Sequence, residues 1–301
     1  MENRILLIAN PKAGRGKIVK EMSTIKENLQ KLSYQVKVQY TDLQKDATQI
    51  IKSENEPYDK LLVCGGDGTL NQAIQGLCEM EKQVPVGYMT VGTTNDFARS
   101  LGVSKNRYDI SNHIDEYQEE QVDVGKFNER FFNYVASIGV FSKASYRTST
   151  KAKNRFGRLA YLFLGVRELF FYPTYHLKIF TEDRIIEDEF VYGSISNARY
   201  VGGFPIFKKE TVDMSDGEFE AIFVKKPKNI WQTLKIAAKV LSGHLQDKNV
   251  CHFKTAHLKI ETTEDTEWSI DGEYSGKVKN IEISNLPKNR TYLVPKKKGE
   301  K

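Results

Sequence analysis

Residues Leu61–Ala73 read LLVCGGDGTLNQA. An apolar run stops at a glycine pair, Asp67 stands between glycines, and a helix-compatible segment follows. A plain strand-to-helix turn accounts for the glycines but not for the aspartate, because such a turn has no need of a carboxylate. A glycine-rich turn between a strand and a helix is also the arrangement that holds phosphate. Glycines let the backbone approach the anion, and the free amides at the positive end of the helix dipole attract it. The spacing is neither the G-x-G-x-x-G of dinucleotide folds nor the Gly-Lys-Ser/Thr of a Walker loop. The stretch reads as a phosphate turn of another kind, one with its own carboxylate.

Working outward, ILLIA (Ile5–Ala9), YQVKVQYT (Tyr34–Thr41), KLLVC (Lys60–Cys64) and VPVGYMTVG (Val84–Gly92) read as strands. Between them lie helical patterns at Lys17–Lys31 (Val19, Met22, Ile25, Leu29), Asp46–Ser53 and Leu70–Met80. This alternation predicts a doubly wound, parallel α/β domain over residues 1–122, completed by a C-terminal segment at about 285–301. From about Val122 the rhythm changes to alternating, strand-like runs such as FFNYVASIGVF, EFEAIFVKK, HLKIETT and EWSIDGEYS. Helical patterns interrupt them at Leu159–Phe170 and Ile230–Leu241. Consecutive alternating strands predict an antiparallel β-sandwich over 123–284.

In a parallel α/β sheet the loops that follow the strands converge on one edge, where ligands bind. Two further turns therefore belong with GGDGT. NPKAGRGK follows the first strand and brings Asn10, Pro11, Lys12, Ala13 and Gly14; GTTNDFAR follows the fourth and brings Thr93, Asn95 and their neighbours. Cations, amides and hydroxyls at three strand ends predict a phosphate cleft.

Composition bounds the rest. A chain of 301 residues fits two domains, and 40% apolar with 28% charged residues is a globular composition. The net charge of +6 suits polyanions without selecting among them. No aromatic–basic platform accompanies it, so nucleic acid is not an expected partner. The three cysteines (Cys64, Cys78, Cys251) have no metal-type spacing and read as reduced thiols of a cytoplasmic protein. Ile5–Ala9 is too short for a signal segment. The most apolar window, LAYLFLGVRELFFYP, is broken by Arg167 and Glu168.

The blocks ANPKAGRG, CGGDGTLNQ and VGTTNDFAR, in this order, resemble the catalytic domain of diacylglycerol kinases and the related sphingosine and ceramide kinases. The resemblance is closest to the bacterial soluble lipid kinases. It continues through VDVGKFNERFFNYVASIGVF (Val122–Phe141), SNARYVGGF (Ser196–Phe204), MSDGEFE (Met214–Glu220) and SIDGEYS (Ser269–Ser275), and so covers essentially the whole chain. GGDGT alone is shared with NAD kinases and is similar to the phosphofructokinase motif; the ordered set is more specific.

The resemblance implies an NAD-kinase/phosphofructokinase-like first domain and ATP as co-substrate. Asn10, Pro11, Lys12, Ala13, Gly14, Thr41, Gly65, Gly66, Asp67, Gly68, Thr69, Asn71, Thr93 and Asn95 would bind nucleotide or phosphate. Asp67 and Asp123 resemble the carboxylates that hold a catalytic magnesium, a role that needs few of them when phosphate and water supply other oxygens. The Asp-Gly-Glu block would supply the base for phosphoryl transfer, with Asp271 the expected base and Glu273 its partner or a metal-side carboxylate. A D-G hairpin turn is the plain alternative there. The family also has a structural magnesium at MSDGEFE, which maps to the Asp216 side chain with carbonyls of Asp213 and Glu218. A second hairpin is again the alternative. One departure is Gln72, where the family often has Glu.

For the acceptor, Tyr161, Phe163, Phe170, Phe171 and Tyr172 offer either core or an apolar cleft for an acyl chain. The basic stretch RTSTKAKNRFGR (Arg147–Arg158) is either a solvated loop or a contact with anionic lipid. The expectation is a lipid kinase visiting the inner face of the membrane, with a homodimer compatible with the sequence. A kinase of a soluble acceptor such as NAD, and a non-catalytic nucleotide-binding regulator, are the other readings.

Overall fold

The computed structural model describes residues 3–91, 95–104, 106–139, 173–207 and 212–296. Two compact units make up the chain: Met1–Val124 with Pro287–Lys301, and Gly125–Leu286. Asp123 thus belongs to the first unit, not to the second where the sequence reading put it.

The first unit is a parallel sheet of β1 (Arg4–Ala9), β2 (Gln35–Tyr40), β3 (Lys60–Gly65) and β4 (Val86–Thr90) in the order β4-β3-β1-β2. Tyr292 and Leu293, from the end of the chain, add parallel pairs to Val86 and Gly87 on the other edge of β4. β1 and β3 are buried at every position but their first, which is why they read as unbroken apolar runs. β2 is an edge strand and only partly buried, so its residues alternate.

Helices α1 (Lys17–Lys31), α2 (Ala47–Ser53) and α3 (Asp67–Glu79) follow β1, β2 and β3. α1 buries Ile18, Met22, Ile25 and Leu29. Val19, which the sequence reading placed in that stripe, is 50% exposed, and Ile18 takes its place. α2 opens with a capping box between Asp46 and Gln49. α3 begins at Asp67, three residues before the expected Leu70, because extended Gly66 is its N-cap. Two short helices, α4 (Asp96–Leu101) and α5 (Arg107–His113), were not foreseen: one or two turns carry too little periodicity to be read.

β5 (Tyr117–Phe127) begins five residues before Val122 and carries the chain into the second unit. There follow β6 (Arg130–Phe132), β7 (Val135–Gly139), β8 (Tyr175–Phe180), β9 (Ile185–Ser196), the short pair β10 (Tyr200–Val201) and β11 (Phe204–Pro205), β12 (Phe219–Lys225), α6 (Ile230–Leu241), β13 (Val250–Thr255), β14 (His257–Ile270) and β15 (Glu273–Pro295). The pairings among β7, β8, β9, β12, β13 and β14 are antiparallel, as expected. β9 and β14 each pair β8 with one half and β7 with the other, so the strands wrap around one core containing Phe132, Phe190, Phe223 and Trp268. HLKIETT and the EWSI of EWSIDGEYS form a single strand, β14, whose register with β15 shifts between Glu261 and Thr266. β13 was missed. The helix expected at Leu159–Phe170, with its aromatic cluster and the basic stretch before it, lies outside the described residues.

Gly125 faces Phe132 across the β5–β6 pair, and a Cβ at Gly125 would come within 2.2 Å of that ring. Phe132 is fully buried and stacks on Phe219, so the ring has nowhere to go. Gly125→Ala is expected to cost about 1–3 kcal/mol. Urea unfolding followed by circular dichroism checks this; an unchanged midpoint would contradict it.

Candidate active site

Strand register builds the candidate site of the first unit. β1 pairs β3 with Ala9 opposite Cys64, and β3 pairs β4 with Gly65 opposite Thr90. The ladder then continues into the turns. Asn10 N donates to Cys64 O (2.9 Å), Thr41 N to Ala9 O (3.0 Å) and Val91 N to Gly65 O (2.9 Å). The loops carrying Asn10, Thr41 and Gly66 therefore leave the sheet side by side.

Asn10 ties the first two turns together. Its Oδ1 accepts from Lys12 N (2.9 Å) and its Nδ2 donates to Thr69 Oγ1 (3.3 Å). Ala13 N closes the same turn on Asn10 O (3.0 Å), with Gly14 and Gly16 in left-handed conformations that glycine alone adopts freely. Gly65 has to be glycine as well, since a Cβ there would lie 2.6 Å from Thr69. Thr41, Thr69 and Asn71 are buried; Lys12 is exposed. Asn95 is held in the left-handed region at φ 48° as N-cap of α4. Thr93 lies outside the described residues.

Three carboxylates of this unit are candidates for the site. Asp67 is the first residue of α3, and its Oδ1 accepts from the Tyr88 hydroxyl at 3.3 Å. Burial, and then the Asp67 charge, push the Tyr88 phenol well above its ordinary pKa, so it stays a donor. Asp123 is fully buried, its Oδ1 accepting from Lys288 N at 2.7 Å. Asp96, a neighbour of Asn95 in the GTTNDFAR turn to which the sequence reading assigned no separate role, is 1% exposed and opens α4 as Asp67 opens α3. Its signal was present in GTTNDFAR as an acid directly after the turn. Asp67 and Asp123 offer the hard oxygen donors magnesium takes. Among the described residues no three His, Cys, Asp or Glu side chains gather to hold a metal alone.

In the second unit Asp271 is the centre of a buried polar network. Its Oδ2 accepts from Asn133 N (2.7 Å) and Asn133 Nδ2 (3.2 Å), and its Oδ1 from Tyr134 N (3.0 Å) and Val135 N (3.1 Å). Asp271 N donates back to Val135 O at 2.8 Å. Tyr134 O in turn accepts from Asn197 N (2.9 Å) and Ser196 Oγ (2.8 Å). Asn197 Nδ2 reaches Met214 O at 3.5 Å. FFNYVASIG, SNAR, MSDG and SIDGE, distant in sequence, thus meet around one carboxylate. Asn133, Ser196, Asn197 and Asp271 are all at most 3% exposed. Asp271 keeps a left-handed φ of 48° and Gly272 one of 82°, the turn that aims the carboxylate inward. Glu273, two residues on, is exposed.

The Asp216 side chain, expected to bind a structural magnesium with the carbonyls of Asp213 and Glu218, is engaged by protein groups. Asp216 Oδ1 accepts from Glu218 N (3.0 Å), and its Oδ2 holds Lys254 Nζ (2.8 Å), which also reaches Glu220 Oε1 at 3.5 Å. Buried Glu220 is further bound by His252 Nε2 at 2.7 Å. The Asp213 carboxylate is occupied by Ser215 N and Oγ. A lysine ammonium thus supplies the positive charge that a cation would bring.

The chain matches the diacylglycerol kinase catalytic domain over residues 4–127 and the YegS C-terminal NAD kinase beta sandwich-like domain over residues 134–289. It therefore belongs to the bacterial diacylglycerol kinase catalytic family. It is 28% identical to a diacylglycerol kinase of Bacillus subtilis (strain 168), covering 99% of this chain and 98% of the relative. A diacylglycerol kinase of Staphylococcus aureus (strain MRSA252) is 29% identical over 92% of this chain and 88% of its own length. A crystal structure described as a diacylglycerol kinase from Bacillus anthracis str. Sterne superposes with a TM-score of 0.79 at 28% identity, over 97% of both chains.

The Lys254–Asp216 pair predicts that the thermal midpoint is the same in EDTA as in millimolar magnesium when no nucleotide is present. A midpoint that rises with magnesium in the wild type would contradict it.

Proposed function

We propose that the protein is an ATP-dependent kinase that transfers the γ-phosphoryl group of ATP to the hydroxyl of diacylglycerol or a similar lipid. The observation that carries this reading is the alignment of the Asn10, Thr41 and Gly66 turns at one sheet edge. It occurs in a chain matched along nearly its whole length by proteins named diacylglycerol kinase. Family names and fold support a lipid kinase; the acceptor and the nucleotide are this proposal.

The amides of the GGDGT turn and the N-terminus of α3 would cradle phosphate, with Lys12 adding charge. Asp67 and Asp123 would hold magnesium, which when bound neutralises charge on the transferring phosphoryl group. The lipid hydroxyl oxygen forms the new bond to the γ-phosphorus, the bond to the β–γ bridging oxygen breaks, and ADP leaves. The hydroxyl proton passes to a carboxylate, for which Asp271 is proposed on the family resemblance. Its two oxygens already take four hydrogen bonds, which fill the acceptor sites a carboxylate has. To accept a proton Asp271 must release one of them, and the Asn133 Nδ2 bond, at 3.2 Å the longest, is the one a side-chain rotation can open. The exposed Glu273 is the other candidate for the same role.

The test is a transfer assay with labelled ATP, magnesium, a panel of lipids and NAD. Label in a lipid phosphomonoester is expected; transfer to NAD alone, or to nothing, would contradict the proposal. Asp271→Asn is expected to lower kcat by at least about 100-fold and Glu273→Gln by far less. The reverse order would move the base to Glu273.

A further inference from the structure

Helix α6 is apolar on two faces, and among the described residues the core of the second unit packs against only one of them. Ile236 and Ala237 pack with Tyr192, Phe207, Ile222 and Val224 in a core cluster. On another face Trp231 is 77% exposed, with Ile230 and Leu234 each 39% exposed. Trp231, Leu234 and the exposed Ala238 recur at helical spacing, so they form one stripe. Isolated exposed apolar residues are ordinary, but a nearly bare tryptophan backed by two aliphatic side chains on one helix is a surface with something to meet.

The charge around this stripe says what kind of surface. From Ala221 to Gln246 the chain carries five lysines and no aspartate or glutamate. Lys225, Lys226 and Lys239 are paired with Asp188, Glu189 and Asp247. Lys228 and Lys235, beside the apolar stripe, have no ion pair among the described residues. The patch therefore combines tryptophan, aliphatic side chains and unneutralised lysines. A few side chains of this kind fall well short of the roughly twenty residues per side of a stable protein interface. They match a bilayer surface, where an indole settles among head groups, aliphatic side chains enter the acyl boundary and lysines meet anionic lipid.

We propose that α6 is a membrane-docking element that seats Trp231 and Leu234 in an anionic bilayer surface, with Lys228 and Lys235 on the lipid head groups. This deepens the lipid-kinase reading by giving the second unit a contact with the bilayer. The test reads binding rather than turnover, so either can fail without the other.

The chain has two tryptophans, and Trp268 is 1% exposed in the core, so a change in emission on binding reports Trp231. The full-length protein is titrated with vesicles of phosphatidylcholine and with vesicles of equal parts phosphatidylcholine and phosphatidylglycerol. The expected result is a blue shift and co-flotation with the anionic vesicles only, reversed by high salt. Trp231→Ser with Leu234→Ser is expected to weaken flotation at least about tenfold, and Lys228→Ala or Lys235→Ala about fivefold each. These positions are exposed, and circular dichroism confirms that the variants fold. Flotation unchanged in the Trp231/Leu234 variant would overturn the proposal. So would binding without a blue shift, or a blue shift that follows protein concentration without vesicles, which would assign the stripe to a second copy of the chain.

Discussion

The parallel register of β1, β3 and β4 is the constraint on which the candidate site of the first unit depends. Because Ala9 stands opposite Cys64 and Gly65 opposite Thr90, the next residues of each strand still pair, backbone to backbone, as they turn out of the sheet. A slip by one residue would turn every apolar side chain of β1 and β3 over and separate the turns. The burial that fixes the register is therefore the same burial that sets Asn10 beside Thr69. Gly65 serves that closeness by leaving room for Thr69, and α3 starts at Asp67 with extended Gly66 as its N-cap.

The second unit solves its own problem by a buried carboxylate. Asp271 is stripped of water but receives three backbone amides and a side-chain amide, which offsets the cost of burying it. The arrangement also locks the 133–135 turn and, through Tyr134 O, the Ser196–Asn197 turn. A residue can hold a fold in this way and still do chemistry, but only by giving up one of its bonds. That links the rigidity of the network to the proton transfer proposed for it.

Much of this was legible in the sequence where periodicity and turn chemistry are strong. The four parallel strands, α1 and the antiparallel character of the second half follow from apolar runs and alternation. The three turns at the strand ends followed from glycine placement. Three things were not legible, each for a physical reason. The start of α3 inside GDG was hidden because glycine in a motif reads as a turn and not as a helix cap. The helix that Asp96 opens was hidden by its brevity. The saturation of Asp271 and the pairing of Asp216 with Lys254 rest on contacts between residues far apart in the chain, which local pattern does not encode. The resemblance singled out the four blocks and named Asp271 as the expected base, but did not indicate that the blocks meet around its carboxylate.

The central claim is that these aligned turns hold the phosphates of a nucleotide. Hydrogen–deuterium exchange in the presence of magnesium and a non-hydrolysable ATP analogue tests it most directly. The account predicts that amide protection rises together in peptides covering residues 9–14, 65–71 and 91–98, and that Asp67→Asn diminishes all three. Protection confined to one turn, or appearing only elsewhere in the chain, would contradict it.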